Sequence, residues 1–353
     1  MLIASIGCAI PTNKIHNEEI LDQVRCRNWR LGATTVQHCI DRLGTLFIQC
    51  GCDTRYWRLR DEKIIDLISC AVDQAVARAN IGVSDIDVVV FSSVHRAFVE
   101  PASASVLCGK LGIRPRRAFD VVDACMGWAT SLEILSWAFK KESAQIALII
   151  NPEFPLDEGG AIDPSCFDLS GPRDIEFKFP ALTMGEAVSA TIVVRGEEEK
   201  WIFERDEAPE HHDLCMVPLR NAEEYLSGYS PPPRSKLEQM SAYGSKMAIR
   251  GFRVGADPIR RLVERLGAPD VLVPHSISTI LPKRVAALLG YEDRIASTFS
   301  LFGNLSTASL PVSLAHHWAN KRIRQGQRVF GWVASAGLKY AAFNISLNAD
   351  FNS

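Results

Sequence analysis

The last third of this 353-residue chain has no cysteine, no stretch of it is an apolar run of bilayer length, and neither sign of charge predominates. Each absence excludes something. With 39 basic against 41 acidic side chains the net charge is -2, so the chain offers no electrostatic footprint for nucleic acid or for an acidic membrane. No segment approaches the ~20 apolar residues that span a bilayer. Met1-Leu2-Ile3-Ala4-Ser5-Ile6-Gly7-Cys8 lacks the basic start of a signal peptide and reads as a first strand. The ten cysteines, spread from Cys8 to Cys215, form no dense framework and read as reduced thiols of a cytoplasmic protein. Cys50-Gly51-Cys52 has the wrong spacing for a zinc knuckle. His211, His212 and Cys215 have a spacing that could hold a metal but lack a second ligand pair, and read as a solvated loop.

What is present is an ordinary globular composition, 47% hydrophobic and 23% charged, arranged in α/β alternation. Helical periodicity covers 62–79, 102–111, the stretch after Gly127, and 258–266. β-Branched runs at 87–91, 119–122, 146–150 and 270–273 read as strands, mainly parallel. Two stretches can be laid side by side: helix 102–111, strand 119–122, then Cys125 and a helix; and helix 283–289, strand 295–299, then Asn304 and a helix. Upstream, 87–94 leading to His95 parallels 270–274 leading to His275. The pattern divides the chain into two similar halves, 1–196 and 197–353, and ligands in α/β sheets gather at the carboxyl ends of such strands. Two irregular stretches, 151–181 and 207–236, the second containing Pro231-Pro232-Pro233, read as loops that cap a site or make a subunit contact.

Three motifs carry the chemistry: Ala124-Cys125-Met126-Gly127, Val273-Pro274-His275, and Phe302-Gly303-Asn304-Leu305-Ser306-Thr307-Ala308-Ser309. A nucleophile, an imidazole and a carboxamide at strand ends suit thioester exchange. A free thiol is only a few per cent ionised at neutral pH, so Cys125 needs the helix N-terminus near Met126 and the base His275 to activate it. A carboxamide at 304 can donate to an enolate oxygen, which a carboxylate would repel. Alone, Cys125 is one buried thiol among ten and Gly303-Asn304 an ordinary turn dipeptide; their joint order gives them weight. His316 and His317 read as structural or surface residues, and His95 as near the pocket at best.

Together with Ile6-Gly7, Ala118-Phe119-Asp120, Met184-Gly185-Glu186-Ala187-Val188-Ser189-Ala190 and Gly326-Gln327-Arg328-Val329, these motifs resemble the thiolase superfamily, and within it the β-ketoacyl-acyl-carrier-protein synthase III type of condensing enzyme. The resemblance implies an α/β, five-layered αβαβα fold of two duplicated halves, the first carrying the cysteine and the second the histidine and asparagine. It implies a homodimer, a catalytic triad of Cys125, His275 and Asn304, and an oxyanion hole from the N–H groups of Cys125 and Ala336. Thioesters of acyl carrier protein or coenzyme A would be the substrates, with no further cofactor and no metal. The implied reaction acylates Cys125 and condenses the acyl group with a malonyl-type thioester by decarboxylative Claisen chemistry. Acyl transfer to an oxygen or nitrogen nucleophile is the alternative, and a silent heterodimer subunit a third reading.

The chain also departs from the family. Residues 43–51 lack the tryptophan and arginine that hold the adenine of coenzyme A, and the carrier-docking arginine falls near Ile280, with Lys283 and Arg284 as replacements. Glu100 stands where the family has an apolar residue that reaches the neighbouring subunit's acyl pocket, and suits a small, polar or amine-bearing acyl group. The pocket candidates are Glu100, Trp128, Phe302 and Ser335. Asp123, two residues before Cys125, is expected to raise the thiol pKa if close and ionised. These departures point to a specialised member in secondary metabolism rather than the fatty-acid initiator.

Overall fold

The computed structural model describes residues 1–141, 144–156, 162, 164–196, 201–219, 222–225, 240–348 and 351–352. The three prolines at 231–233 lie outside them. Among the described residues the strands are, in chain order, β1 (Leu2–Ala9), β2 (Asn13–His16), β3 (Thr54–Trp57), β4 (Val88–Ser92), β5 (Arg117–Val121), β6 (Ile146–Glu153), β7 (Ala187–Val194), β8 (Phe203–Glu207), β9 (Cys215–Met216), β10 (Ser241–Ala242), β11 (Val271–Pro274), β12 (Val329–Ser335) and β13 (Lys339–Ile345). One sheet has the order β1-β7-β6-β4-β5 and a second the order β11-β12-β13-β8, with β2-β3 and β10-β9 as small separate pairs.

The layers follow from which faces are apolar. β4 is buried along its whole length, as expected of a central strand covered on both faces. The helix Ile64–Arg78 presents Ile68, Ala71, Val72 and Ala75 as one stripe and covers the outer face of the first sheet with the helix Ser103–Leu111. Gly7 makes that approach possible, because a Cβ there would sit 1.9 Å from the Ala71 carbonyl oxygen. The helices Gly127–Lys141 and Ser309–Ala319 lie between the sheets: Trp128, Leu132, Leu135, Leu310 and Leu314 share one core with Val90 and Ile149 of the first sheet and Val273 and Val333 of the second. The helices Asp257–Leu266 and Ile280–Ala287 cover the far face of the second sheet. The result is the expected αβαβα stack.

Three expectations need correction. The sheets are mixed rather than mainly parallel: β4 pairs parallel with β5 and β6, and β11 with β12, but β1–β7, β6–β7, β12–β13 and β8–β13 are antiparallel. β12 and β13 show why, since a turn this short can only join antiparallel neighbours. The strand expected at 295–299 is reduced to a single bridge from Ile295 to Leu272, and Phe299–Phe302 turns as a helix. There Ser297 Oγ accepts the Phe299 N–H at 3.2 Å and Thr298 bonds Ser313, so side chains take up bonding that a strand would need. Finally, 151–181 is not all loop, because β6 continues to Glu153 and Ile175–Leu182 is helical.

Candidate active site

Cys125 sits where β5 gives way to the central helix beginning at Gly127. The turn is sharp: Ala124 has φ +45°, a left-handed conformation that costs a non-glycine residue roughly 1–2 kcal/mol. Gly127 allows it, because a Cβ there would lie 2.0 Å from Ser92 Oγ. Asp120, in β5, accepts the N–H groups of Ser103 at 2.8 Å and Ala104 at 2.9 Å, tying the start of the neighbouring helix to this strand.

His275 continues β11 by one residue, its N–H donating to the Trp332 carbonyl at 2.7 Å. Asn304 is clamped by backbone on both sides: its N–H donates to Thr183 O at 2.9 Å and its carbonyl accepts from Gly185 at 3.0 Å. Gly303 precedes it with φ +69°, and a Cβ there would meet the Thr183 oxygen at 2.3 Å. The three groups converge. His275 Nε2 is 3.2 Å from Asn304 Oδ1, Cys125 Sγ is 3.6 Å from Ser306 Oγ, and Cys125, His275 and Asn304 all line one cavity.

The network sets the protonation. Asn304 Oδ1 accepts the Ser306 N–H at 2.9 Å, which fixes the amide with its oxygen towards His275 and leaves Nδ2 without a protein acceptor among the described residues. His275 Nδ1 donates to Ala334 O at 2.9 Å. Acceptors thus face both ring nitrogens, an arrangement that suits the imidazolium. Burial pushes the Cys125 thiol up, but the charge and hydrogen bond of His275, with Ser306, bring it below the ordinary thiol value; Glu153 opposes them. Burial alone would lower His275, but Cys125, Asn304 and the Ala334 carbonyl raise it above the usual histidine value. Both shifts act in the direction of the thiolate and the imidazolium.

Two carboxylates near the site behave differently from expectation. Asp123 is neutralised: Lys339 Nζ lies 2.8 Å from it, Thr130 donates to it, and Arg205 stands at 3.9 Å. The charge that opposes the Cys125 thiolate comes instead from Glu153, at the carboxyl end of β6. Its Oε1 accepts from Thr307 Oγ1, from Thr307 N at 3.3 Å and from Val94 N at 3.1 Å, while its buried Oε2 has no partner. Burial pushes it up to about 7. Sequence reasoning missed Glu153 and Ser306. The available signals were a carboxylate ending the apolar run Ile146–Glu153 and a serine inside the Asn304 motif.

A cavity of about 350 Å³ opens onto the three groups, with a mostly apolar wall. Ser335, Ala336 and Arg284 line it, as do Cys50 and Cys215. Burial pushes the Cys215 thiol up to about 12, further raised by Cys125, so Cys215 stays a neutral thiol. Three pocket candidates lie elsewhere. Trp128 is in the central core, donating to Thr191 Oγ1 at 3.0 Å, because its position on the helix faces the sheets. Phe302 packs at a tilt against Tyr56 and edge-on against His316. Glu100 is exposed on the loop after β4, and His95 is half-buried away from the cavity wall. Lys283 is exposed beside the mouth residue Arg284. His211 pairs with Arg250 on the surface while Cys215 faces the cavity, and among the described residues no cluster of three or more His, Cys, Asp or Glu could hold a metal. No helix among them is long and apolar enough to cross a membrane.

Two mixed sheets around a central helical layer, with a cysteine and a histidine at strand ends and an asparagine after a short helix meeting at one cavity, define a thiolase-like fold. The family model for the 3-oxoacyl-[acyl-carrier-protein (ACP)] synthase III C terminal matches residues 265–347. β-Ketoacyl-[acyl-carrier-protein] synthase III of Helicobacter pylori strain HPAG1 is 23% identical over 308 residues, covering 83% of this chain and 86% of its own. Acyl-CoA:acyl-CoA alkyltransferase of Xanthomonas campestris pv. campestris is 23% identical over 333 residues, covering 93% of each. Among solved structures, cerulenin-bound OleA of Xanthomonas campestris superposes with a TM-score of 0.78 at 21% identity, over 97% of this chain and 96% of that one. FabH of Pseudomonas aeruginosa PAO1 gives 0.76 at 20% identity, over 98% of both. The chain thus has the thiolase fold and is similar along most of its length to β-ketoacyl-acyl-carrier-protein synthase III enzymes.

Proposed function

We propose that Cys125 takes an acyl group from an acyl thioester and that this group is condensed with a malonyl-type thioester. The observation that carries the reading is the convergence of Cys125, His275 and Asn304 on one cavity, with the Asn304 oxygen turned towards His275 and its N–H groups available. In the first half-reaction the thiolate attacks the thioester carbonyl; a C–S bond forms, the donor's C–S bond breaks, and the departing thiolate takes the His275 proton. Backbone N–H groups of Cys125 and Ala336, both on the cavity wall, would hold the oxyanion. In the second, His275 first takes a proton back from water, the malonyl thioester loses carbon dioxide, and its enolate oxygen is held by the His275 Nε2–H and the Asn304 N–H donors. The enolate carbon attacks the acyl carbonyl, a C–C bond forms, and the thiolate of Cys125 leaves.

Arg284 lines the cavity and Lys283 neighbours it, with Lys246 and Arg253 exposed on the adjoining helix Gly244–Val254, so the mouth suits the phosphate of a carrier arm and an acidic carrier protein. β5 is an edge strand, and Phe98, Val99 and Val122 beside it are 42%, 92% and 62% exposed, which supports homodimerisation through that edge. Glu100, on the same loop, would then face the second protomer. Scattering-based mass determination tests the dimer. For the reaction, intact mass after incubation with a panel of acyl thioesters should show one acyl adduct, absent in Cys125→Ala, and carbon dioxide should be released from malonyl thioester afterwards. An adduct without carbon dioxide would favour acyl transfer to oxygen or nitrogen; no adduct with any donor would sink the proposal.

A further inference from the structure

Buried aromatic donors in this protein are bonded, with one exception. Trp57, Trp128 and Trp332 donate to Met184 O, Thr191 Oγ1 and Gly255 O at 3.0, 3.0 and 2.9 Å. Trp201 donates to Met1 O. Tyr340, in β13, is only 5% exposed, and among the described residues nothing bonds to its hydroxyl. Unlike Glu153 Oε2 and Ser335 Oγ, which are sealed from solvent, this hydroxyl opens onto the cavity, where a ligand oxygen can take the place of water as its acceptor.

The surroundings have made room for that oxygen. In the helix Gly244–Val254, a Cβ on Gly251 would sit 2.0 Å from Tyr340 Oη, and one on Gly255 would lie 3.3 Å from the ring. A glycine inside a helix is itself unfavourable by comparison with alanine. Tyr340 and Gly251 both line the cavity that contains Cys125, and the neighbouring wall is apolar: Ala242, Met247, Trp332 and Leu338. Burial pushes the phenol up to about 12, so the group remains a donor at any working pH.

We propose that Tyr340 is a specificity-determining residue that donates a hydrogen bond to an acceptor oxygen on the thioester ligand, set in an otherwise apolar stretch of it. Two sources share that chemistry: a hydroxyl or oxo group on the acyl chain, and an amide carbonyl of the pantetheine arm. The proposal rests on the thioester reading of the cavity. Within this apolar stretch of the wall the Tyr340 hydroxyl selects an oxygen at one place along a greasy chain, because a chain lacking it leaves the hydroxyl unpaired and one carrying it elsewhere along the stretch sets an oxygen against apolar side chains.

The test uses the full chain as Cys125→Ala, which holds ligands unreacted, with and without Tyr340→Phe. Affinities are measured for octanoyl thioesters, plain or bearing a hydroxyl at carbon 3, 5 or 7, each presented on coenzyme A and as the S-ethyl thioester, which has no amide. If the oxygen is on the chain, Tyr340→Phe reduces the preference for one hydroxylated isomer over the plain chain by about 10-fold on both carriers. If it is on the arm, the preference for coenzyme A over S-ethyl falls by a similar factor instead. Both ratios staying within twofold of the parent would overturn the proposal. So would a lower melting temperature for ligand-free Tyr340→Phe, since a hydroxyl without a partner contributes nothing to the empty fold. Acylation of the wild-type thiol is followed in parallel; its failure would strike the condensing reaction, whereas the binding ratios report on Tyr340 alone.

Discussion

Replacing His275 with alanine should undo the activation of Cys125, and the size of the effect can be worked out. His275 is buried and its charge bears on the Cys125 thiol. Unit charges ~4 Å apart attract by about 4 kcal/mol at an effective dielectric constant of about 20, equivalent to roughly three units of thiol pKa. Without the imidazole, burial and Glu153 remain, and both push the thiol up. The midpoint should therefore move from below the ordinary thiol value to above it. Below its midpoint a thiol loses tenfold in thiolate per pH unit, so alkylation at pH 7 should fall by at least about 100-fold. Labelling with iodoacetamide between pH 5 and 10, resolved by peptide mass, measures this directly. Cys26 and Cys70, both exposed, supply internal controls whose rates stay fixed. In the wild type, reactivity should rise as pH climbs through the depressed Cys125 value. Superimposable profiles for wild type and His275→Ala would refute the ion-pair argument.

Other outcomes follow from the same geometry. Glu153 has a folded value of about 7 against an ordinary 4.5. The native state thus holds a proton that the unfolded chain gives up, and stability should decline by ~3 kcal/mol as pH rises from about 4.5 to about 7. Glu153→Gln should remove that slope in denaturant titrations at pH 5 and pH 8, and should lower the pH at which Cys125 is alkylated. Gly303→Ala combines φ +69° with a Cβ 2.3 Å from a backbone oxygen; a loss of roughly 3 kcal/mol in chemical denaturation is expected. Asn304→Asp replaces a donor with an acceptor, and carbon dioxide release from malonyl thioester should fall by about 10²-fold, with a smaller effect on Cys125 adduct formation.

Much of this was legible along the chain. The apolar stripe of Ile64–Arg78 and the continuous burial of Val88–Ser92 match the periodicities that announce a helix and a central strand. Cys125, His275 and Asn304 stood out because each follows or faces a strand end. Ile295 misled, since its β-branched neighbourhood resembles a strand while Ser297 and Thr298 divert the bonding. Trp128 misled for another reason: only three residues after Cys125 in sequence, it packs in the core between the sheets instead of lining the cavity.

Local order alone determined the α/β alternation, the turn before Gly127 and the choice of the three side chains proposed to react, because periodicity and turn chemistry act over a few residues. Tertiary structure decided which charges the thiol feels. Lys339 cancels Asp123 from 216 positions away, Thr307 holds Glu153 from 154 positions away, and Gly251 makes room for the Tyr340 hydroxyl. Electrostatics and packing depend on separation in space, and the central helices bring together at one cavity groups that the chain keeps far apart.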